Sequence, residues 1–219
     1  MPHRLPRAFY ARPTLQVARQ LLGQRLVRIE RSGQRTSGWI VEAEAYVGQA
    51  DLGCHAHVGR TPRNAPMWGP PGHAYVYFTY GMHWMLNGVT QADGFPAAVL
   101  LRAILPAEGK RRMQRRRGAR PAHALTDGPA KLCQALAVDR RLDGADLCAP
   151  AAVLFIERGR PIPDRHVTRG ARVGLTGVPE PWKSTPWRFQ LTAAGIDRME
   201  DASHGTTGRE DRAHLRRRQ

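Results

Sequence analysis

The sequence predicts a single α+β domain. Segments rich in aromatic and β-branched residues recur between Gly- and Pro-containing stretches, and helix-like segments interrupt them without a regular βαβ repeat. The 219 residues are enough for one domain with a sizeable core. We therefore expect one domain over residues 1–200. A disordered tail is expected over 201–219, where almost no apolar residue is available for burial.

The N-terminal part of the chain contains one predicted helix and two predicted strands. The helix starts at Thr14 and ends at Gly23, a residue typical of helix ends. RLVRIE (25–30) and GWIVEAEAY (38–46) are the strands. Because strand side chains alternate between faces, four residues of the second strand are expected on one face: Ile40, Glu42, Glu44 and Tyr46.

Residue composition predicts further strands and one more helix. AYVYFTYG (74–81) and AAVLLRAIL (97–105) are predicted strands, because both are rich in aromatic or branched residues. GPAKLCQAL (128–136) predicts a helix whose first-turn proline is tolerated and whose initial amide groups are free to meet a phosphate. ARVGLT (171–176) and RFQLTA (188–193) are predicted to be two more strands.

The charge balance favours a polyanionic partner. Lys and Arg number 34 against 18 Asp and Glu, a formal net charge of +16. Seven of the eleven residues in KRRMQRRRGAR (110–120) are basic. We expect this segment to form a mobile, solvated insertion near residues 107–125.

No membrane segment or secretory signal is predicted. The sequence lacks a run of 18 apolar residues, and its first residues lack the apolar core of a signal peptide, so we expect a cytoplasmic protein, associated with the nucleoid if bacterial. Cys54, Cys133 and Cys148 are odd in number and lack CxxC spacing, which favours reduced thiols over disulfides.

Glu42 and Glu44 are a candidate acid/base pair. Two residues apart on a strand, their Cα atoms are separated by about 6.5 Å. Such a pair could act as in glycoside hydrolysis, or it could form salt bridges with neighbouring arginines at the surface. Tyr46 on the same predicted face favours a partly dry pocket over an exposed site.

Cys54, His55 and His57 raise the possibility of a metal site, since His-x-His on a strand can supply two zinc ligands. A third and fourth ligand with recognisable spacing are missing from the sequence. We therefore expect no metal and no organic cofactor, and a histidine that hydrogen-bonds or stacks.

Tyr75, Tyr77 and Tyr80 lie within six residues of one another. Tyr75 and Tyr77 share a strand face, and Tyr80 precedes Gly81 at a predicted turn. They could form an aromatic core, or they could stack on nucleobases or wedge into a duplex beside a basic surface. The nearby turn GRTPRN (59–64) is either a solvated loop or a phosphate clamp.

Six motifs occur together in one order. They are VEAEAY, the histidine nine residues after its tyrosine, GRTPRN, YVYFTYGMHWMLN, AVLLRA and GPAKLCQAL. In this order and spacing they resemble the alkyladenine (3-methyladenine) DNA glycosylase family, the compact type without a helix-hairpin-helix. The resemblance extends from about Phe9 to Phe189.

The resemblance implies a monofunctional enzyme that flips alkylated or deaminated purines out of double-stranded DNA. It hydrolyses the N-glycosidic bond and leaves an abasic site. The expected substrates are 3-methyladenine, 7-methylguanine, hypoxanthine and ethenoadenine. The implied fold is a curved, mostly antiparallel sheet with flanking helices and a protruding hairpin, in a monomer that uses no metal or cofactor.

The resemblance also implies roles for individual residues. Glu44 matches the general base, Arg102 matches a residue that helps to hold the water and a nearby phosphate or base, and Glu42 is left a supporting role, paired with an arginine. Five residues match the base pocket: Tyr46, His55, Tyr77, Asn87 and Leu100. Five more are expected to contact DNA, Tyr80 and Met82 at the intercalating wedge and Arg60, Arg63 and Lys131 at the backbone.

Two other interpretations use the same residues. A non-catalytic DNA- or RNA-binding module would use the tyrosines and arginines for stacking and charge. A carbohydrate hydrolase would use Glu42 and Glu44 as its acid/base pair, but a sugar substrate gives no reason for the net charge of +16.

Overall fold

The computed structural model describes residues 4–118 and 120–200, which form an α+β domain around one antiparallel sheet. Within this part of the chain the sheet has eight strands, all paired antiparallel. They are β1 (Arg25–Ile29), β2 (Arg35–Val47), β3 (Ala74–Thr79), β4 (His83–Val89), β5 (Ala97–Glu108), β6 (Leu154–Glu157), β7 (Val167–Gly170) and β8 (Arg188–Leu191). The predicted fold class is confirmed.

Four α-helices accompany the sheet in the described residues: α1 (Arg7–Tyr10), α2 (Thr14–Leu21), α3 (Lys110–Arg117) and α4 (Pro129–Leu136). α2 packs against β2, and α4 packs against β4 and β5. The predictions for α2 and α4 are confirmed. No helix in these residues is long and apolar enough to cross a membrane.

The strand order is β3-β4-β5-β2-β1-β6, with β8 paired to both β2 and β7. In-register pairing aligns one row of residues across five strands: Tyr75, Asn87, Leu100, Glu44 and Arg188. Because aligned residues of neighbouring strands point to the same face, this row gathers polar and aromatic side chains from distant parts of the chain.

β2 does not alternate regularly, so part of the predicted face is wrong. Its pairing with β5 shifts register between Ile40 and Glu42, and again between Glu42 and Ala43. Such bulges insert an extra residue and redirect the side chains that follow. Ile40 consequently lies in the main hydrophobic core together with Ala43, not beside the glutamates. Glu42 and Glu44 do share a side, because both contact Arg102.

The arginine-rich segment is not a mobile insertion over residues 110–117, where the structure contains α3. Met113 is fully buried on this helix. Arg116 forms an ion pair with Glu30 at 2.6 Å and donates to the Ala135 carbonyl at 2.9 Å. One buried apolar side chain and a carboxylate partner therefore order a segment whose composition is typical of a solvated run.

The predicted strand at residues 171–176 is also wrong. That segment forms turns, and the strand beside it is β7, which ends at Gly170. The alternating pattern of residues 171–176 breaks at Arg172, which is buried and forms an ion pair with the distant Asp51. The predicted tail over 201–219 lies outside the described residues.

β3 and β4 form a hairpin whose turn carries the predicted wedge. Tyr80 has φ 52° and Gly81 has φ 66°, both in the left-handed region that a tight turn requires. The tyrosine side chain is 81% exposed and Met82 is 68% exposed. A large apolar side chain in a strained turn conformation is therefore presented to solvent.

Candidate active site

A cavity of about 320 Å³ opens beside β2, β3, β4 and β5. It brings together seven residues predicted for the site: Tyr46, His55, Tyr77, Tyr80, Asn87, Leu100 and Arg102. Further residues complete its wall: Gly53, Met67, Tyr75, Thr79, Met85, Pro129, Val173, Gly174 and Leu175. The predicted Met82 lies outside this wall, in the hairpin turn.

Glu44 is fully buried and is not itself part of the cavity wall, but three residues that contact it, Tyr46, Arg102 and Val173, line the cavity. Its Oε1 accepts a hydrogen bond from the Val173 N–H at 2.7 Å, and its Oε2 accepts one from the Tyr46 hydroxyl at 2.9 Å. The Arg102 guanidinium approaches both oxygens at 3.4 Å. Burial raises the pKa of Glu44, while Arg102, the Val173 N–H and Tyr46 offset part of that rise.

Arg102 bridges the two glutamates. Its Nε donates to Glu42 at 2.8 Å, and Arg188 of β8 reaches the same Glu42 oxygen at 3.3 Å. The predicted pairing of Glu42 with an arginine is therefore confirmed. Arg102 occupies the position where β5 is bulged opposite β2, which turns its side chain toward the carboxylates and the cavity.

Tyr46 is held as a neutral hydroxyl donor. Burial, followed by the charge of Glu44 and the hydrogen bond to it, raises the pKa of Tyr46 well above its ordinary value. Its ring lines the cavity, and the Arg172 guanidinium lies 4.7 Å from the ring centroid. The same side chain thus forms part of the pocket wall and orients the buried carboxylate.

His55 is fixed within an aromatic cluster. Its Nδ1 is 2.8 Å from the Tyr75 hydroxyl, and its ring meets the Tyr77 ring edge-on with centroids 4.5 Å apart. Burial, together with the nearby charges of Arg63 and His57, lowers the pKa of His55 to about 4. The imidazole is therefore neutral at neutral pH and offers a ring face and a hydrogen-bonding nitrogen.

Asn87 and Leu100 lie next to each other across β4 and β5. The Asn87 Nδ2 donates to the Tyr75 carbonyl at 3.0 Å, which fixes the orientation of the amide in the cavity wall. Both side chains are buried by the protein around them, at 4% exposure each. They form a rigid wall rather than an adaptable one.

The predicted backbone contacts surround the cavity in different ways. Arg60 is exposed, and Arg63 is exposed with its Nη2 donating to the Phe78 carbonyl at 3.1 Å. Asn64 secures this turn through bonds to the carbonyls of His55 and Gly59. Lys131 of α4 pairs with Asp127 at 3.0 Å. Arg63 is thus tied directly to the hairpin that carries Tyr80.

His55 and His57 lie on a 3-10 helix, His55–Val58, and not on the strand assumed for a His-x-His ligand pair. His57 Nδ1 is 2.7 Å from the Cys54 carbonyl oxygen. Residues 4–118 and 120–200 contain no group of three or more His, Cys, Asp or Glu side chains suited to hold a metal. The three cysteines are free thiols, and burial raises the pKa of Cys54 to about 12.

Nothing in the sequence pattern indicated Arg172 or Val173 as residues of the site. Asp51 pairs with Arg172 at 2.6 Å, and both side chains are fully buried. Val173 supplies the amide that binds Glu44. The one available signal was an isolated aspartate shortly after Tyr46 in a strongly basic chain, because its partner is 121 residues away.

Comparisons with known proteins agree with this geometry. The sequence model of the methylpurine-DNA glycosylase family matches residues 8–194. A protein of Chlorobaculum parvum is 46% identical over 191 residues, covering 87% of this chain and 88% of its own. One of Myxococcus xanthus is 48% identical (84% and 88%), and one of Methanocella arvoryzae is 49% identical (84% and 90%). Each bears the name "Putative 3-methyladenine DNA glycosylase".

The family match covers the cavity, the hairpin and the buried carboxylate, and the relatives are nearly half identical over most of their length. The chain therefore belongs to the methylpurine-DNA glycosylase family of DNA N-glycosylases.

Proposed function

We propose that the protein removes alkylated and deaminated purines from double-stranded DNA. The substrates are 3-methyladenine, 7-methylguanine, hypoxanthine and ethenoadenine, and the product is an abasic site. The observation that carries this proposal is a buried, arginine-paired Glu44 whose contacts Tyr46, Arg102 and Val173 line an aromatic cavity of about 320 Å³. The three relatives are named for 3-methyladenine, which supports an alkylated purine as substrate.

The cavity suits a planar purine. Tyr46, His55 and Tyr77 offer ring faces and edges, and stacking on an aromatic ring is most favourable for an electron-poor or cationic base. Methylation at purine N3 or N7 produces such a cation. The Asn87 amide is held fixed in the cavity wall, so we assign it a part in disfavouring the 2-amino group of unmodified guanine, which lacks the cationic ring that favours stacking of 7-methylguanine.

The target nucleotide must leave the base stack before its sugar can be attacked. Extrusion costs a few kcal/mol and is easiest for damaged or mispaired bases. Tyr80 and Met82 are exposed on the hairpin turn beside the cavity, as a wedge into the minor groove requires. We propose that the Tyr80 side chain fills the gap left by the extruded nucleotide and that Met82 supports it there.

Hydrolysis then proceeds at C1′ of the extruded nucleotide. A water oxygen forms the new bond to C1′ while the C1′–N bond breaks and its electron pair leaves with the base. Glu44 takes the proton from the water, and its negative charge also stabilises the cationic sugar of the transition state. Burial raises the pKa of Glu44 and makes it a stronger base, while the positive charge of Arg102 offsets part of that rise.

Water, rather than an amine, is the proposed nucleophile. The described residues that line the cavity include no lysine, so nothing in that wall offers an amine for a Schiff base. The enzyme is therefore proposed to be monofunctional, without strand cleavage. Arg60, Arg63 and Lys131 are assigned to the DNA backbone, in keeping with the net charge of +16.

The direct test is incubation with duplexes that each carry one hypoxanthine, ethenoadenine or 3-methyladenine, followed by alkali and gel analysis. Alkali-labile product at the lesion supports the proposal. Duplex binding with no product from any lesion contradicts it and favours a non-catalytic binding module. The paired state of Glu42, which contacts both Arg102 and Arg188, argues against a two-carboxylate carbohydrate hydrolase.

A further inference from the structure

Asp51 and Arg172 form a fully buried ion pair that belongs to neither the core nor the cavity wall. Two guanidinium nitrogens bind the two carboxylate oxygens at 2.6 and 2.7 Å, and both side chains have no exposed surface. Arg172 also donates to the Ala45 carbonyl of β2 at 3.0 Å. The pair therefore joins the segment after β7 to the strand that carries Glu44.

Asp51 also holds its own turn. Its carboxylate accepts the N–H of Val47 at 3.2 Å and that of Gly53 at 2.9 Å. Gly53 lines the cavity, and a Cβ there would lie 2.8 Å from both Arg172 Nη2 and Leu175 Cδ1. Only a residue without a side chain allows this close approach.

The residue after Arg172 directly contacts Glu44, the proposed general base. Val173 donates its N–H to Glu44 at 2.7 Å, and residues 173–175 form one wall of the cavity. Arg172 itself lies over the rings of Tyr46 and Trp187, at 4.7 and 5.1 Å from their centroids. One buried guanidinium thus contacts the Tyr46 ring and directly precedes Val173 in the chain, and these residues supply two of the groups that donate to Glu44.

We propose that Asp51 and Arg172 are positioning residues of the active site. Their ion pair fixes the Val173 amide and the Tyr46 ring, and these two groups orient Glu44 toward the sugar. This inference rests on the proposed function. Stability does not account for the pair, because replacing a buried ion pair by apolar residues of similar volume is often neutral or stabilising.

The test compares Asp51→Asn, Arg172→Lys and Gly53→Ala with the wild type in single-turnover excision of hypoxanthine from a duplex. Gly53→Ala retains every charge and displaces the guanidinium, so it remains informative if a variant that breaks the ion pair fails to fold. Glu157→Gln is the matched control. Glu157 is also buried and bound by two arginines, but it lies on β6 at the opposite edge of the sheet from β3.

We expect excision at saturating enzyme to fall about 10-fold to 100-fold in Asp51→Asn and Gly53→Ala, because small displacements of reacting groups are costly. Arg172→Lys keeps the charge without the two-pronged contact, so its excision should also fall, but by less than that of Asp51→Asn. Affinity for duplex DNA with an abasic analogue should stay within about twofold of wild type, because the pair does not contact the solvent.

The pH profile distinguishes positioning from loss of structure. Several groups face Glu44 or its partners: Glu42, Tyr46, Tyr77, Arg102, Arg172 and Arg188. Loss of the hydrogen bond from the Val173 N–H to Glu44 removes a contribution that lowers the pKa of Glu44. The acidic limb of the excision rate should therefore move to higher pH in all three variants. Glu157→Gln should leave it unmoved.

Variants that lose activity only in proportion to their folded fraction, with the wild-type pH profile, would overturn the inference. So would unchanged excision by folded Gly53→Ala protein. Failure of the proposed function has a different signature, because the wild-type protein itself would then release no base from the same duplex.

Discussion

Tyr46 donates its hydroxyl hydrogen to Oε2 of Glu44 at 2.9 Å, from a position two residues further along β2. The two side chains share a strand face because β2 alternates regularly after its bulge. Tyr46 in the cavity wall and Glu44, the proposed general base, are therefore coupled within a span of three residues. This hydrogen bond makes the ionisation of Glu44 sensitive to a change in a stacking residue.

Tyr46→Phe tests this coupling. The phenylalanine keeps the ring and removes a hydrogen bond that lowers the pKa of Glu44, so the carboxylate should require a higher pH to ionise. The acidic limb of single-turnover excision should move to higher pH, with the largest reduction in rate below neutrality. Tyr77→Phe is the control, because the groups that shift the pKa of Glu44 are Arg102, the Val173 N–H, Tyr46 and Glu42. Identical profiles for both variants would contradict the coupling.

His55→Gln should change how stability depends on pH. Burial lowers the pKa of His55 to about 4 from 6.5, so the unfolded chain binds the extra proton between these values. Stability from neutral His55 is fully present above pH 6.5 and is lost as the pH falls toward 4, with a total on the order of a few kcal/mol. Melting temperatures measured from pH 7.5 to 4 should fall more steeply for wild type than for His55→Gln. Parallel curves would show that His55 is not held neutral.

Tyr80→Ala should slow excision from duplex DNA without destabilising the fold. The side chain is 81% exposed, so its truncation removes little packing, whereas extrusion of a paired nucleotide costs a few kcal/mol. We expect a decrease of about 10-fold or more in the single-turnover rate and an unchanged melting temperature. Tyr80→Phe, which keeps the apolar ring, should retain most activity. Equal rates for Tyr80→Ala and wild type on the same duplex would exclude the wedge role.

Arg60→Gln tests the proposed interaction with the DNA backbone. If Arg60 binds one phosphate, its replacement should reduce the slope of log affinity against log salt by about 0.9. Titrations of undamaged duplex at several salt concentrations measure that slope. Arg141→Gln is the control, because Arg141 is already paired with Asp139 at 2.6 Å. If both substitutions leave the slope unchanged, Arg60 does not bind the DNA backbone.

Local patterns predicted much of the sheet and singled out several tyrosines, of which Tyr46, Tyr75, Tyr77 and Tyr80 line the cavity. β2, β3, β5 and α4 follow from aromatic and branched residues and from a first-turn proline, all of which act over a few residues. The resemblance supplied the expected roles, and the aligned row through Glu44 and Asn87 brings those residues to one face.

The remaining features depend on interactions between distant residues. The bulge at Ile40 is set by pairing with β5, and the Arg172 turn is set by an aspartate 121 residues earlier. α3 is ordered by Met113 in the core and by Glu30, which composition alone cannot reveal. Local propensity carries no information on such partners.

The central claim is that Glu44 is the general base of purine excision. The most direct measurement is single-turnover release of hypoxanthine from a duplex by wild type and by Glu44→Gln, alongside binding of both to a duplex with an abasic analogue. Glutamine matches the size of the buried carboxylate and cannot accept the proton, so release should fall about 100-fold or more while the analogue still binds. Release by Glu44→Gln at the wild-type rate would contradict the account.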